Sequence, residues 1–336
     1  MIIKFRKNTT KKEFDRVIQE ITNFGFKYDI LQDQGEKKNP VVGIRDECGD
    51  TTPGDFTKFD GVINAQKLSI PYKHVSREYK LKDTIVQVGN INIGGENNII
   101  FMAGPCAVES REQILRIAQE VKDQGATILR GGCWKPRTAA RCFEGLKEKG
   151  LDYLIEAKEL TGLPIVTEVM SVETLAYISE RVDLLQVGAR NMHNFTLLDE
   201  LGKQHKPVLL KRGLSATIEE FLCAADRIVY GGNPNVLLCL RGVRTFDNSQ
   251  RYPADLYAIP DLIQKTHLPI IFDPSHPAGR RSLVPSLAKM AIAGGVNGLI
   301  IESHYEPQEA KCDGAQMITP EVLGKIINYA KQVEHL

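Results

Sequence analysis

The sequence lacks any apolar run approaching the roughly 20 residues that a membrane span needs, so no membrane-embedded part is expected. It lacks an excess of charge: 43 Lys and Arg stand against 42 Asp and Glu, a net of +1. A chain so balanced projects no long-range field toward nucleic acid or an anionic membrane, so any basic site must be local. It lacks a paired cysteine motif. Seven cysteines, at 48, 106, 133, 142, 223, 239 and 312, include no CxxC. An odd, unpatterned set in a chain of 336 residues points to reduced thiols in a cytoplasmic protein. The opening MIIKFRKNTTKKEF contains no apolar h-region, so no signal peptide is expected. No GxGxxG or P-loop pattern follows the first strand-like run after residue 86, which weakens a doubly wound nucleotide-binding sheet.

What is present is an alternation. From about residue 86 come eight short apolar runs, NIIFMAG, TILRGG, PIVTEV, LLQVGA, PVLLKRG, NVLLCLRG, PIIFDPSH and GLIIESH. They are continuous rather than alternating, as strands buried on both faces require. Amphipathic stretches such as SREQILRIAQEVKDQG and TIEEFLCAADRIVYGG separate them, and Thr217 with Glu220 forms the best capping-box pattern. Eight strand–helix units in about 250 residues match a (β/α)8 TIM barrel. TIVQVGNINIGG reads as a hairpin turning at Gly89-Asn90 and capping the barrel's first end. Residues 1–72 read as β-α-β-β-α-β, a small ferredoxin-like α+β domain whose last strand is AQKLSI. The expected division is therefore 1–72, a linker over 73–85, and a catalytic barrel over 86–336.

In such a barrel, chemistry gathers at the C-terminal strand ends. Two sets of residues fall there. The first is cationic: Arg130, Lys135, Arg137, Arg190, Lys211 and Arg241. Cations this dense repel one another unless an anion fills the space between them, and arginine suits bidentate capture of carboxylate or phosphate. An anionic small-molecule site follows. Glu168 ends the third strand beside it. The second set is Cys106, His276, Glu302 and Asp313, from strands one, seven and eight. One thiolate, one imidazole and two carboxylates make a mixed ligand set for a divalent transition metal; Mn, Zn, Fe and Co all suit it.

The motifs AGPCAVES, LRGG..KPRT, QVGARNM, KPVLLKRG.SATIEE, DPSH..GRR and IE.H..P..A..DG.Q resemble those of 3-deoxy-D-arabino-heptulosonate 7-phosphate (DAHP) synthase of the type I beta class. The likeness runs the length of the barrel, and the N-terminal module resembles the regulatory domain some of these enzymes carry. The resemblance implies an aldol-type condensation of phosphoenolpyruvate with erythrose 4-phosphate at the head of the shikimate pathway. It implies that Cys106, His276, Glu302 and Asp313 ligate the metal. Phosphoenolpyruvate would lie among Arg130, Lys135, Arg190, Lys211 and Arg241, with Lys135 also handling protons. The sugar phosphate would lie at Arg137 and Thr138, and His304 would tune the metal from behind a ligand. A homotetramer and a tyrosine or phenylalanine effector are also implied. The sequence departs from the family pattern after Thr138, where Ala139-Ala140-Arg141-Cys142 stand in place of Ser-Pro-Tyr-Ser, and at Leu240, where Glu is usual. These departures fall on the aldehyde side of the site. The alternatives are accordingly a sister enzyme using another aldose phosphate, as in 3-deoxy-manno-octulosonate 8-phosphate synthase, and, more remotely, a non-catalytic regulatory barrel.

Overall fold

The chain folds into two compact units in the computed structural model, Met1–Lys82 and Asp83–Leu336. The structure describes residues 1–32, 39–96, 98–136, 141–247, 250 and 252–333.

The first unit contains strand β1 (Ile2–Phe5), helix α1 (Lys11–Asn23), strands β2 (Tyr28–Gln32) and β3 (Val41–Ile44), the single-turn α2 (Gly54–Thr57) and β4 (Val62–Gln66). The sheet order is β2-β3-β1-β4 with antiparallel pairing throughout. Thr10 caps α1 and Glu13 reaches back to it, a reciprocal capping box. Phe14, Val17 and Ile21 lie three and four residues apart on α1 and join Ile3, Phe5, Ile44 and Phe56 in one core.

Two expectations shift here. The last strand lies at Val62–Gln66 rather than 65–70, because pairing of Ile2 with Gln66 and Phe5 with Val62 places Val62 and Ala65 in the core. The linker expected over 73–85 is divided between the two units. Lys73 Nζ donates to the carbonyls of Arg45 at 2.8 Å and Asp46 at 3.3 Å. The Tyr79 hydroxyl donates to Asp29 at 2.8 Å. These bonds hold residues 73–82 in the first unit, whereas Thr84 pairs with His267 through backbone and side chain, at 2.8 Å each, within the second.

The second unit opens with the hairpin β5 (Val86–Val88) and β6 (Ile91–Ile93), joined across Gly89-Asn90. The barrel then alternates β7 (Ile100–Gly104), α3 (Arg111–Asp123), β8 (Ile128–Arg130), α4 (Lys147–Thr161), β9 (Ile165–Glu168), α5 (Val172–Ser179), β10 (Leu184–Val187) and α6 (Phe195–Gly202). It continues with β11 (Val208–Lys211), α7 (Ile218–Gly231), β12 (Val236–Leu240), α8 (Ala258–Lys265), β13 (Ile270–Phe272), α9 (Ser275–Ala278), α10 (Val284–Ala293), β14 (Gly298–Glu302) and α11 (Pro320–Val333). Strands β7 to β14 pair in parallel and close, with β14 beside β7, so the expected TIM barrel is the observed one. Val86, Val88 and Ile93 of the hairpin share a core with Ile100, Ile128, Leu184 and Leu237, residues at or near the strand starts. The hairpin thus plugs the N-terminal end and leaves the opposite end open. Among the described residues, no helix is long and apolar enough to cross a membrane.

Candidate active site and metal centre

The open end holds a cavity of about 740 Å³. Arg130 and Lys211 are the last residues of β8 and β11, and Arg241 follows β12 directly, so parallel pairing carries all three to the same rim. With Lys135, Arg190 and Glu168 they line this cavity. Arg137 and Thr138 lie outside the described residues.

The cations are not equivalent. Arg130, Lys211 and Arg241 are buried, whereas Arg190 is exposed at the rim. Arg130 Nη1 donates to Glu302 Oε1 at 2.9 Å, and Lys211 Nζ donates to Asp273. Lys135 Nζ donates to the Cys106 carbonyl at 3.1 Å. Arg241 lies 5.1 Å from the centre of the Tyr252 ring, and its buried Nε has no hydrogen-bond partner. Arg241 also lines the cavity, and a buried guanidinium donor left without a partner is costly unless something the site binds offsets it. Burial disfavours charge on Arg130 and Lys135. Even so, Glu302 and Cys106 raise the former, and Cys106 and Glu168 raise the latter, so both stay cationic.

Close backbone approach makes this rim possible. A Cβ at Gly188 would fall 2.1 Å from Glu168 Oε1, and one at Gly132 would fall 2.5 Å from the Cys106 carbonyl oxygen. Only glycine lets the Glu168 carboxylate, which accepts from Gln186 at 3.3 Å, and the Cys106 turn sit where they do.

The second residue set converges beside the first. Cys106 follows β7, His276 rides on α9, Glu302 ends β14, and Asp313 lies on the next loop. Donor atoms of His276, Glu302 and Asp313 lie within 4.8 Å of one another, and so do those of Cys106, Cys312 and Asp313. The four ligands expected from sequence therefore meet as two groups sharing Asp313. Cys312 is the donor that sequence reading missed. Its only signal was adjacency to Asp313, and neighbouring side chains ordinarily diverge. Here Asp313 adopts φ +54°, a left-handed conformation that aspartate tolerates better than most residues. Cys106 Sγ lies 2.9 Å from Cys312 Sγ and 3.3 Å from Asp313 Oδ2. The hydrogen bond with Cys312, together with burial, raises the Cys106 thiol well above its ordinary range; the same bond lowers Cys312.

The ligands are braced. Asp273 Oδ2 accepts from His276 Nδ1 at 2.6 Å, and its Oδ1 accepts the backbone N–H groups of Ser275 at 3.0 Å and His276 at 3.1 Å. Burial alone would raise Asp273, yet His276 and Lys211 hold it well below the usual carboxylate range. With Nδ1 so anchored, His276 Nε2 lies 3.7 Å from Glu302 Oε1, in the orientation a carboxylate-anchored metal ligand adopts. Gln316 Nε2 donates to Glu302 Oε2 at 2.6 Å. Burial opposes charge on Glu302, but His276 and Arg130 bring it down to about 2. A histidine fixed by a carboxylate, an ionised carboxylate and sulfur donors suit a divalent transition ion, so the residues fit such a group. His304 Nδ1 accepts the Glu306 N–H at 2.9 Å, and burial lowers its pKa.

The sequence model of the DAHP synthetase I family matches residues 73–336. The chain belongs to this family. It is 39% identical over 333 residues to phospho-2-dehydro-3-deoxyheptonate aldolase of Thermotoga maritima, covering 99% of this chain and 97% of the relative. The crystal structure of a Thermotoga maritima DAHP synthase superposes with a TM-score of 0.78 at 38% identity, covering 99% and 97% of the two chains. A truncated form of the Thermotoga maritima 3-deoxy-D-arabino-heptulosonate 7-phosphate synthase covers 79% of this chain and 97% of its own, with a TM-score of 0.74 and 42% identity. A more distant relative, 2-dehydro-3-deoxyphosphooctonate aldolase of Francisella tularensis, is 28% identical over 75% of this chain and 97% of its own.

Proposed function

We propose that this chain condenses phosphoenolpyruvate with erythrose 4-phosphate to give DAHP and inorganic phosphate, using a divalent metal ion held by Cys106, His276, Glu302 and Asp313. The observation that carries this reading is the junction of two unlike sites in one cavity wall. A buried cationic wall with an unpartnered Arg241 Nε adjoins a metal-type donor cluster, and the Arg130–Glu302 ion pair ties them together.

The roles follow from placement. Arg130, Lys135, Arg190, Lys211 and Arg241 line one cavity and receive the phosphate and carboxylate of phosphoenolpyruvate, and Arg130 and Lys135 also bond to the metal-ligand residues Glu302 and Cys106. Cations held on the barrel rim neutralise the anion and set its approach with little reorganisation during reaction. Lys135 stays protonated, so its Nζ offers fixed positive charge and N–H donors to the bound anion, and proton handling by Lys135 rests on resemblance to the family. A divalent ion at such a site supplies Lewis acidity toward the aldehyde oxygen. Carbon 3 of phosphoenolpyruvate bonds to the aldehyde carbon, water adds at carbon 2, and the carbon–oxygen bond to phosphate breaks. Arg137 and Thr138 take the sugar phosphate by resemblance to the family.

A metal identity, a homotetramer and an aromatic amino acid effector acting through the N-terminal unit complete the proposal only by that same resemblance. The full-length match to a deoxyheptonate enzyme, against barrel-length matches to octonate enzymes, supports the four-carbon acceptor. The test is phosphate release from phosphoenolpyruvate across a panel of aldose phosphates, with and without added divalent ions. Turnover restricted to erythrose 4-phosphate is expected. Preference for arabinose 5-phosphate would move the chain to the sister activity.

A further inference from the structure

Cys312 occupies a position that a packing role explains poorly. One side of the residue belongs to a small apolar cluster with Ala107, Cys106 and Met317. A thiol that only filled space would need nothing more. Yet its sulfur lies 2.9 Å from that of Cys106, and the two sulfurs share a tight donor group with Asp313. The two cysteines stand 206 residues apart and come from opposite sides of the β7–β14 seam that closes the barrel. The left-handed turn at Asp313 brings two consecutive side chains to one point, which an ordinary loop conformation would separate.

We propose that Cys312 is itself a ligand of the bound metal ion, a second sulfur donor beside Cys106. This inference rests on the metal-centre reading above. Two thiolates bound at about 2.3 Å to one ion stand roughly 3.3–3.8 Å apart when they are adjacent ligands at about 90–110°. The observed separation reaches that range by a rotamer-scale movement of either side chain, and a divalent cation between the sulfurs would favour it. Charge is matched as well. Two thiolates and the carboxylates of Glu302 and Asp313 would face a divalent ion together with Arg130, bonded to Glu302, and Lys135, bonded to the Cys106 carbonyl. The consequence is selectivity. A second soft donor tilts the site toward thiophilic ions such as zinc, cobalt and cadmium and away from manganese, which prefers oxygen.

The experiment uses the full chain, reduced and loaded with one equivalent of Zn2+, and counts sulfur neighbours by X-ray absorption. Wild type is expected to show two sulfurs at about 2.3 Å, and Cys312→Ser and Cys106→Ser one each. The Cd2+ over Mn2+ affinity ratio is expected to fall at least roughly 10-fold in Cys312→Ser, the scale on which ligand-sphere changes act. A single sulfur in wild type that persists in Cys312→Ser overturns the proposal and leaves Cys106 as the sole thiolate ligand. Absence of any sulfur neighbour, or of stoichiometric binding, overturns the metal-centre reading as well. The wild-type spectrum decides the question even where a variant does not fold.

Discussion

Arg130 Nη1 and Glu302 Oε1 meet at 2.9 Å in the barrel wall, both side chains almost wholly buried. The pair joins the anion wall to the metal ligands, so a change at either residue reaches both halves of the site.

Arg130→Met is therefore expected to do more than weaken substrate. It strands the Glu302 carboxylate without its guanidinium, and breaking a buried pair from one side costs about 3–5 kcal/mol. Urea unfolding of the metal-free protein would show it as a lowered midpoint. A variant as stable as wild type would mean that His276 and Gln316 satisfy Glu302 unaided.

Acid should expose the same relationship. The Glu302 carboxyl sits at about 2 in the fold against about 4.3 for a free glutamate. Because the folded value is depressed, its contribution to stability is fully present above about pH 4.3 and is lost as pH falls through about 2. Asp273, also depressed, acts in the same direction. Metal-free wild type should lose stability across that window, by about 3 kcal/mol from Glu302. In Arg130→Met the Glu302 share should be lost at higher pH. Identical acid profiles for the two proteins would contradict this.

Asp273→Asn tests the brace behind His276. The amide cannot offer Nδ1 the same charged acceptor, and it releases Lys211. Metal affinity is expected to fall roughly 10- to 100-fold, read by titrating Co2+ into the variant and following its absorbance. An affinity within twofold of wild type would rule out a positioning role for Asp273.

Arg241→Met addresses the orphaned donor. A charge-assisted hydrogen bond contributes roughly 1.5–3 kcal/mol, so KM for phosphoenolpyruvate should rise about 10- to 150-fold. The KM for the aldose phosphate should change little. A matched rise in both constants would place Arg241 between the two substrates instead.

The sugar-phosphate assignment can be tested at Arg137 and at Arg141, an exposed residue four positions later in the sequence. Arg137→Ala is expected to raise KM for the aldose phosphate by a similar factor of about 10 to 150 and to leave phosphoenolpyruvate binding unchanged. If Arg141→Ala has that effect and Arg137→Ala does not, the departure from the family pattern after Thr138 has moved the subsite.

Much of this protein is written locally. Continuous apolar runs can be buried on both faces only in a parallel sheet covered by helices, and eight of them with intervening amphipathic stretches close into a barrel. The strand-end rule then places Arg130, Glu168, Lys211, Arg241 and Glu302 on one rim, because each ends or directly follows a strand. Two-residue turn chemistry likewise locates the hairpin at Gly89-Asn90. Tertiary structure decided the rest, since it depends on which distant groups meet. No periodicity says that residues 73–82 bond back to Arg45 and Asp29, or that the last strand of the first unit starts at Val62, three residues before the AQKLSI run begins, and ends at Gln66. Nor does any local pattern say that Lys211 and Asp273, 62 residues apart, neutralise each other, or that Arg241, among the described residues, keeps a buried donor without a partner. Cys312 is the clearest case. In the sequence it is one of seven scattered thiols. Only the closing of β14 against β7, and a left-handed turn at the next residue, bring its sulfur to Cys106.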